Sequence, residues 1–90
     1  MKYARIIVSG RVQGVGYRYY VYQYAIAHNL KGSVRNLGDG RVEVICAADE
    51  KEVEQLIPAL EKGPAFSRVE KIIVRWEDAV HLPFKRFIIE

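Results

Sequence analysis

The apolar positions along the chain change period several times, and each change marks an element. Ile6, Ile7 and Val8 form the heart of a strand over about Ala4–Gly10. Beyond a glycine-rich stretch, Tyr17, Tyr20, Val21, Tyr24, Ala25 and His28 recur at helical spacing, which predicts a helix over about Tyr17–Asn29. Asn29 suits the left-handed residue that ends a helix. Two short strands follow, about Lys31–Asn36 and Arg41–Ala47, on either side of the hairpin-turn pair Asp39-Gly40. A second helix starts near Asp49, whose side chain with that of Glu52 forms a capping-box-like opening. Val53, Leu56, Ile57 and Leu60 give it one apolar stripe. Pro58 interrupts that pattern and predicts a kinked or shortened last turn, and Gly63-Pro64 ends the helix. A strand over about Arg68–Glu77 carries Val69, Ile72, Val74 and Trp76. A loop through His81 and Pro83 leads to a final strand, about Phe84–Ile89.

The order is β-α-β-β-α-β with a short extra strand at the end. It predicts an α+β class, ferredoxin-like βαββαβ sandwich. The sheet is expected to be antiparallel, with both one-sided helices packed on one face and the other face partly exposed. Ninety residues without repeats, linkers or low-complexity segments predict a single domain over 1–90.

Composition narrows the class of function. Half the residues are hydrophobic and 28% are charged, as in folded globular domains. No apolar run approaches the ~20 residues of a membrane span, and the N-terminus lacks the regions of a signal peptide. The single cysteine, Cys46, excludes an internal disulfide and points to a cytoplasmic chain. It lies in the strand-like run Val42–Ala47 with no cationic neighbour, so it reads as a small buried hydrophobe rather than a reactive thiol. A net charge of +3 favours anionic ligands but is too mild and too scattered to imply nucleic acid.

The richest segment is the loop between the first strand and the first helix, Gly10-Arg11-Val12-Gln13-Gly14-Val15-Gly16. Three glycines in seven residues let the backbone curl and turn its N–H groups inward. The loop opens a helix, whose free N–H groups and dipole favour an anion. No Ser, Thr, Asp or Asn stands in Gly10–Tyr17 to cap that helix. A phosphate would satisfy those donors, and Arg18 in the first turn could bring its planar fork to the same spot. The loop fits neither the nucleotide P-loop nor G-x-G-x-x-G, because no Lys-Ser/Thr follows and Tyr19 takes the third glycine's place. A tight turn whose helix is capped by water would use the same residues.

Gly10-Arg11-Val12-Gln13-Gly14-Val15-Gly16-Tyr17-Arg18 closely resembles the acylphosphatase signature. Gly32-Ser33-Val34-Arg35-Asn36-Leu37-Gly38-Asp39-Gly40 resembles the family's second motif, at the expected distance. Val42-Glu43-Val44, Gly63-Pro64 and the ending with Phe84 and Phe87 extend the likeness over essentially the whole chain. The resemblance implies the ferredoxin-like fold and hydrolysis of the carboxyl–phosphate bond of acyl phosphates. It also implies roles. Arg18 matches the phosphate-binding arginine, Asn36 the asparagine that orients the attacking water, and the backbone N–H groups of Val12, Gln13, Gly14 and Val15 the phosphate cradle. Ser33 departs from the usual aromatic residue and His28 from the common leucine. Neither touches Arg18 or Asn36.

This reading needs no cofactor and no metal. The two histidines, His28 and His81, stand far apart in sequence, and no carboxylate–histidine cluster accompanies them. His28 reads as a packed or edge histidine of the first helix and His81 as a solvated loop residue. Tyr17, Tyr19, Tyr20, Tyr22 and Tyr24 crowd the first helix. Domains of this architecture that bind RNA stack bases on sheet aromatics, so these are expected to be a mixture of core and surface tyrosines. The expected partners are a small acyl phosphate and inorganic phosphate as product or inhibitor. No nucleic acid or membrane partner is expected, and the chain is expected to be a monomer. The rivals are a non-enzymatic phosphoryl-binding module, which has no need of Asn36, and a nucleic-acid-binding domain. A similar domain inside a larger carbamoyl-transfer maturation protein is a further setting. The 90-residue length without zinc-finger cysteines favours a stand-alone enzyme.

Overall fold

A computed structural model describes residues 2–90. The strands are β1 (Lys2–Arg11), β2 (Lys31–Asn36), β3 (Val42–Ala47), β4 (Arg68–Asp78) and β5 (Phe87–Ile89). The helices are α1 (Tyr17–Ala27) and α2 (Glu50–Lys62). The strands form one sheet in the order β4-β1-β3-β2-β5. β4, β1, β3 and β2 pair antiparallel, as the ferredoxin-like reading requires. The extra strand does not follow that pattern. β5 lies parallel to β2, with Phe87 beside Gly32 and Ile89 beside Val34, so the sheet is mixed rather than antiparallel. The cause is the path of residues 79–86, which carry the chain from one edge of the sheet to the other before it pairs again.

One face of the sheet is dry. Ala4, Ile6 and Val8 of β1 face Cys46, Val44 and Val42 of β3 in register, and Val34 of β2 stands beside Val44. Against these pack Val21 and Ala25 of α1, Val53, Leu56 and Leu60 of α2, and Phe87 of β5, all buried in one cluster. Both helices therefore cover the same face. Cys46 is fully buried, and burial pushes its thiol up to about 12, as an inert core position requires. The opposite face carries charge. Glu43 is buried there between Arg5 and Arg35, and Arg5 also binds Glu77, which accepts a 2.7 Å hydrogen bond from the Tyr3 hydroxyl.

Helix ends follow their local chemistry. Asp49 caps α2 by accepting from the Glu52 N–H at 2.8 Å, while the Glu52 carboxylate accepts from the Asp49 N–H at 3.1 Å. Pro58 neither shortens nor ends α2, which runs on to Lys62, and it occupies an exposed position. A proline removes one N–H and crowds the carbonyl four residues earlier, and on an exposed face water can satisfy that carbonyl. α1 stops at Ala27, two residues before the expected end, because His28 leaves helical geometry and Asn29 turns to φ 55°. β5 begins three residues later than expected, because the contact with β2 starts only where the Arg86 carbonyl accepts from the Gly32 N–H at 3.3 Å, and residue-to-residue pairing begins at Phe87.

Candidate active site

The chain leaves β1 at Arg11 and reaches α1 through Val12–Gly16. Val12 anchors this loop by burying its side chain in the core. Gly14 and Gly16 adopt left-handed backbone, at φ 73° and 79°, which side chains other than asparagine or aspartate rarely accept. Gly16 is also the N-cap of α1, so the helix begins without a side-chain cap. Among the described residues, no backbone or side-chain acceptor takes a hydrogen bond from the N–H groups of residues 12–19. A row of donors at a helix N-terminus is thus left for an anion.

Arg18 and Tyr17 open α1 and point to different environments. Tyr17 is buried, and its hydroxyl donates to the Leu60 carbonyl at 2.7 Å in the last turn of α2. Burial, and then the neighbouring Tyr20, pushes its phenol well above the usual range, so it stays a neutral donor. Tyr20 makes the matching bond to the Ala59 carbonyl at 2.7 Å. These two hydroxyls fix the start of α1 to the end of α2. Arg18 turns instead to the strand edge, where its Nη1 donates to the main-chain oxygen of Glu90 at 2.6 Å.

Asn36 is the last residue of β2 and is exposed, opposite Val42 of β3. The turn after it closes through the Leu37 N–H to the Arg41 carbonyl at 2.8 Å and the Gly40 N–H to the Leu37 carbonyl at 3.3 Å. Asp39 stiffens the turn by accepting from the Arg41 N–H at 3.1 Å and from its guanidinium at 2.7 Å, and these bonds hold its carboxyl below the usual range. The side chain of Gln13 spans the gap between loop and turn. Its amide donates to the Leu37 carbonyl at 2.8 Å and to the Arg41 carbonyl at 2.9 Å.

These elements converge on one cavity of about 300 Å³, lined by Val12, Gly14, Gly16, Arg18, Asn36 and Ile89 together with Tyr17 and Tyr19. Arg18 and Asn36, 18 positions apart in sequence (36 − 18), line the same space. Of the loop residues expected to form the cradle, Val12 and Gly14 line the cavity and Gln13 and Val15 do not. Neither histidine belongs here. His28 is exposed and stacked on Tyr24, with ring centres 3.9 Å apart, and His81 lies in the loop before β5. Among the described residues no three His, Cys, Asp or Glu side chains gather as a metal-holding group.

The model of the acylphosphatase family matches residues 4–89. The chain belongs to the acylphosphatase family. An acylphosphatase of Syntrophotalea carbinolica is 43% identical over 83 residues, covering 92% of this chain and 89% of that one. The crystal structure of acylphosphatase from Bacillus subtilis superposes with a TM-score of 0.90 at 40% identity, covering 100% of this chain and 99% of that chain. The same fold also occurs inside a larger protein. The structure of HypF from T. kodakarensis matches all of this chain with a TM-score of 0.87 and 36% identity, over 12% of its own length. The acylphosphatase fold is thus shared by chains of very different length, and the cavity beside Arg18 is the part whose chemistry bears on function.

Two features of the site have no counterpart in the sequence reading. The Gln13 side chain, treated there only as part of a backbone cradle, is the bridge to the Asn36 turn. Glu90 does not line the cavity but holds Arg18 through its main-chain oxygen, which no residue type could have signalled. Gln13 did offer a faint signal, as the one polar, uncharged side chain in a loop of glycine, valine and arginine.

Proposed function

We propose that this cavity carries out its family's reaction, hydrolysis of an acyl phosphate to a carboxylate and inorganic phosphate. In this reading the N–H groups of Val12, Gln13, Gly14 and Val15 and the guanidinium of Arg18 hold the phosphoryl group. Asn36 orients the attacking water. The observation that carries it is that Val12 and Gly14 of the loop, the uncapped start of α1, Arg18 and Asn36 line one cavity of about 300 Å³.

The chemistry asks little beyond this. The leaving group is a carboxylate, stable at neutral pH, so no strong general acid is needed. The barrier lies in placing water in line and in stabilising charge on the transferring phosphoryl oxygens. Backbone N–H donors and a guanidinium, fixed before substrate arrives, do the second without reorganising. Asn36 is neutral and holds a water through its amide oxygen and N–H₂. A phosphoryl oxygen of the substrate is the available proton acceptor. The reading includes no cofactor and no metal. It treats 1–90 as one acylphosphatase-like domain, monomeric and cytoplasmic, with inorganic phosphate as a competitive inhibitor.

The test is turnover of benzoyl phosphate by the purified protein in excess chelator. Sustained hydrolysis with competitive inhibition by phosphate is expected. Complete loss of turnover on chelation would overturn the metal-independent mechanism. Binding of phosphate without hydrolysis of any acyl phosphate would favour a binding module instead.

A further inference from the structure

We infer that Gln13 is a positioning residue whose side chain sets the distance between the phosphate cradle and Asn36. The inference rests on the roles proposed above for the cradle and for Asn36. Cradle and turn belong to different parts of the fold: residues 12–16 follow the end of β1, and residues 37–41 join β2 to β3. The direct β1–β3 pairing stops at Val8 and Val42, short of both. Among the described residues, the two hydrogen bonds of the Gln13 amide are the ones that join 12–16 to 37–41.

The geometry separates this role from folding. The Leu37 and Arg41 carbonyls already accept the two N–H groups that close the turn. Each carbonyl has a second lone pair, and Gln13 uses it. Without Gln13 the turn keeps its own bonds and no carbonyl loses its only partner. What is lost is the register between two backbones, one offering donors to a phosphoryl group and the other ending at Asn36. In-line attack depends on that register, since a misplacement of about 1 Å can cost roughly 10²-fold in rate. A backbone N–H of Gln13 that stays in the cradle leaves phosphate affinity to the loop itself and to Arg18.

Gln13→Met tests this, because methionine has nearly the same length and no donor. With benzoyl phosphate as substrate, kcat is expected to fall about 10- to 100-fold, while inhibition by inorganic phosphate changes less than about threefold. The decisive measurement is the double-mutant cycle with Asn36→Ala. If Gln13 acts through Asn36, adding Gln13→Met to Asn36→Ala should cost less than about threefold in kcat. Gln13→Glu, which keeps the length but turns two donors into acceptors facing two carbonyls, should be at least as slow as Gln13→Met. The thermal midpoints of the single variants check that the fold survives. An undiminished kcat in Gln13→Met, a parallel loss of phosphate inhibition, or an equal cost in the Asn36→Ala background would each overturn the inference. A wild-type protein inert toward every acyl phosphate would overturn the parent reading itself, a result distinct from any of these three.

Discussion

Arg18 donates a 2.6 Å hydrogen bond to the main-chain oxygen of Glu90, the residue that follows β5. Glu90 is held in turn, because its N–H bonds the Val34 carbonyl of β2 at 2.9 Å. The guanidinium is therefore fixed from outside its own helix, at the edge of the strand that ends in Asn36. A guanidinium has five N–H donors, and one bond to Glu90 leaves most of the fork for an anion. The parallel strand β5, a departure from a purely antiparallel sheet, is what brings Glu90 to this place.

Replacing Arg18 should show what the fork supplies. In Arg18→Ala, phosphate inhibition and turnover should both disappear, since charge and fork go together. Arg18→Lys keeps the charge as a point ammonium without bidentate geometry. Its kcat/KM is expected to fall by about 10²-fold, on the scale of one lost transition-state donor. Steady-state kinetics with phosphate as inhibitor reads both variants, and near-normal kcat/KM in Arg18→Ala would remove Arg18 from the mechanism.

Asn36 should separate binding from turnover. Asn36→Ala removes an exposed side chain that makes no hydrogen bond within the described residues, so little stability is at stake. The expected result is a kcat lower by about 10²-fold with phosphate inhibition unchanged, the pattern of a group needed in the transition state and not in the ground state. Full activity would assign the water to another group.

Most of the fold was legible in the chain because pattern and local chemistry agreed. The Asp49–Glu52 box, the Asp39-Gly40 turn and the left-handed Asn29 are each decided within a few residues. The direction of β5 was not legible, since three apolar residues pair equally well either way and the preceding loop decides. Around the site the division is similar. The uncapped α1 and its glycines are visible in local sequence, which alone fits a phosphate cradle and a water-capped turn equally. Asn36 looked ordinary beside its hairpin until the resemblance singled it out, because its value comes from sharing a cavity with Arg18 across the fold. Gln13 and Glu90 act through partners 24 and 72 positions away, beyond any local pattern.

Acid should weaken the open face of the sheet through Glu77. Its hydrogen bonds from Arg5 first, and then from Tyr3, hold its carboxyl below the ordinary value of 4.5. A carboxyl depressed on folding stabilises the fold fully above its unfolded value and loses that contribution as pH falls through its folded value. The loss should therefore develop below about pH 4.5 and be modest, because the site is solvent-accessible and screened by salt. Thermal midpoints of wild type and Glu77→Gln should differ near neutral pH and converge toward pH 3. A constant difference across that range would remove Glu77 from the acid response.

The joint between the two helices offers the sharpest test of stability near the site. The Tyr17 hydroxyl donates to the Leu60 carbonyl, in the last turn of α2, where carbonyls have no partner further along the helix. The site is buried, so water cannot replace the donor. Tyr17→Phe keeps the ring in the core and removes only the hydroxyl, leaving one buried acceptor unsatisfied. The cost should be about 1–2 kcal/mol, the usual penalty for such a group. Tyr20→Phe, which removes one of two donors to the half-buried Ala59 carbonyl, should cost less, because that carbonyl still accepts from the Gly63 N–H at 3.1 Å. Urea unfolding monitored by circular dichroism measures both. Because Tyr17 also begins the helix whose N-terminus faces the cavity, its loss should loosen that end of α1 and lower phosphate affinity, while Tyr20→Phe should not. Equal stability of wild type and Tyr17→Phe would show that the hydroxyl does not hold the two helices together.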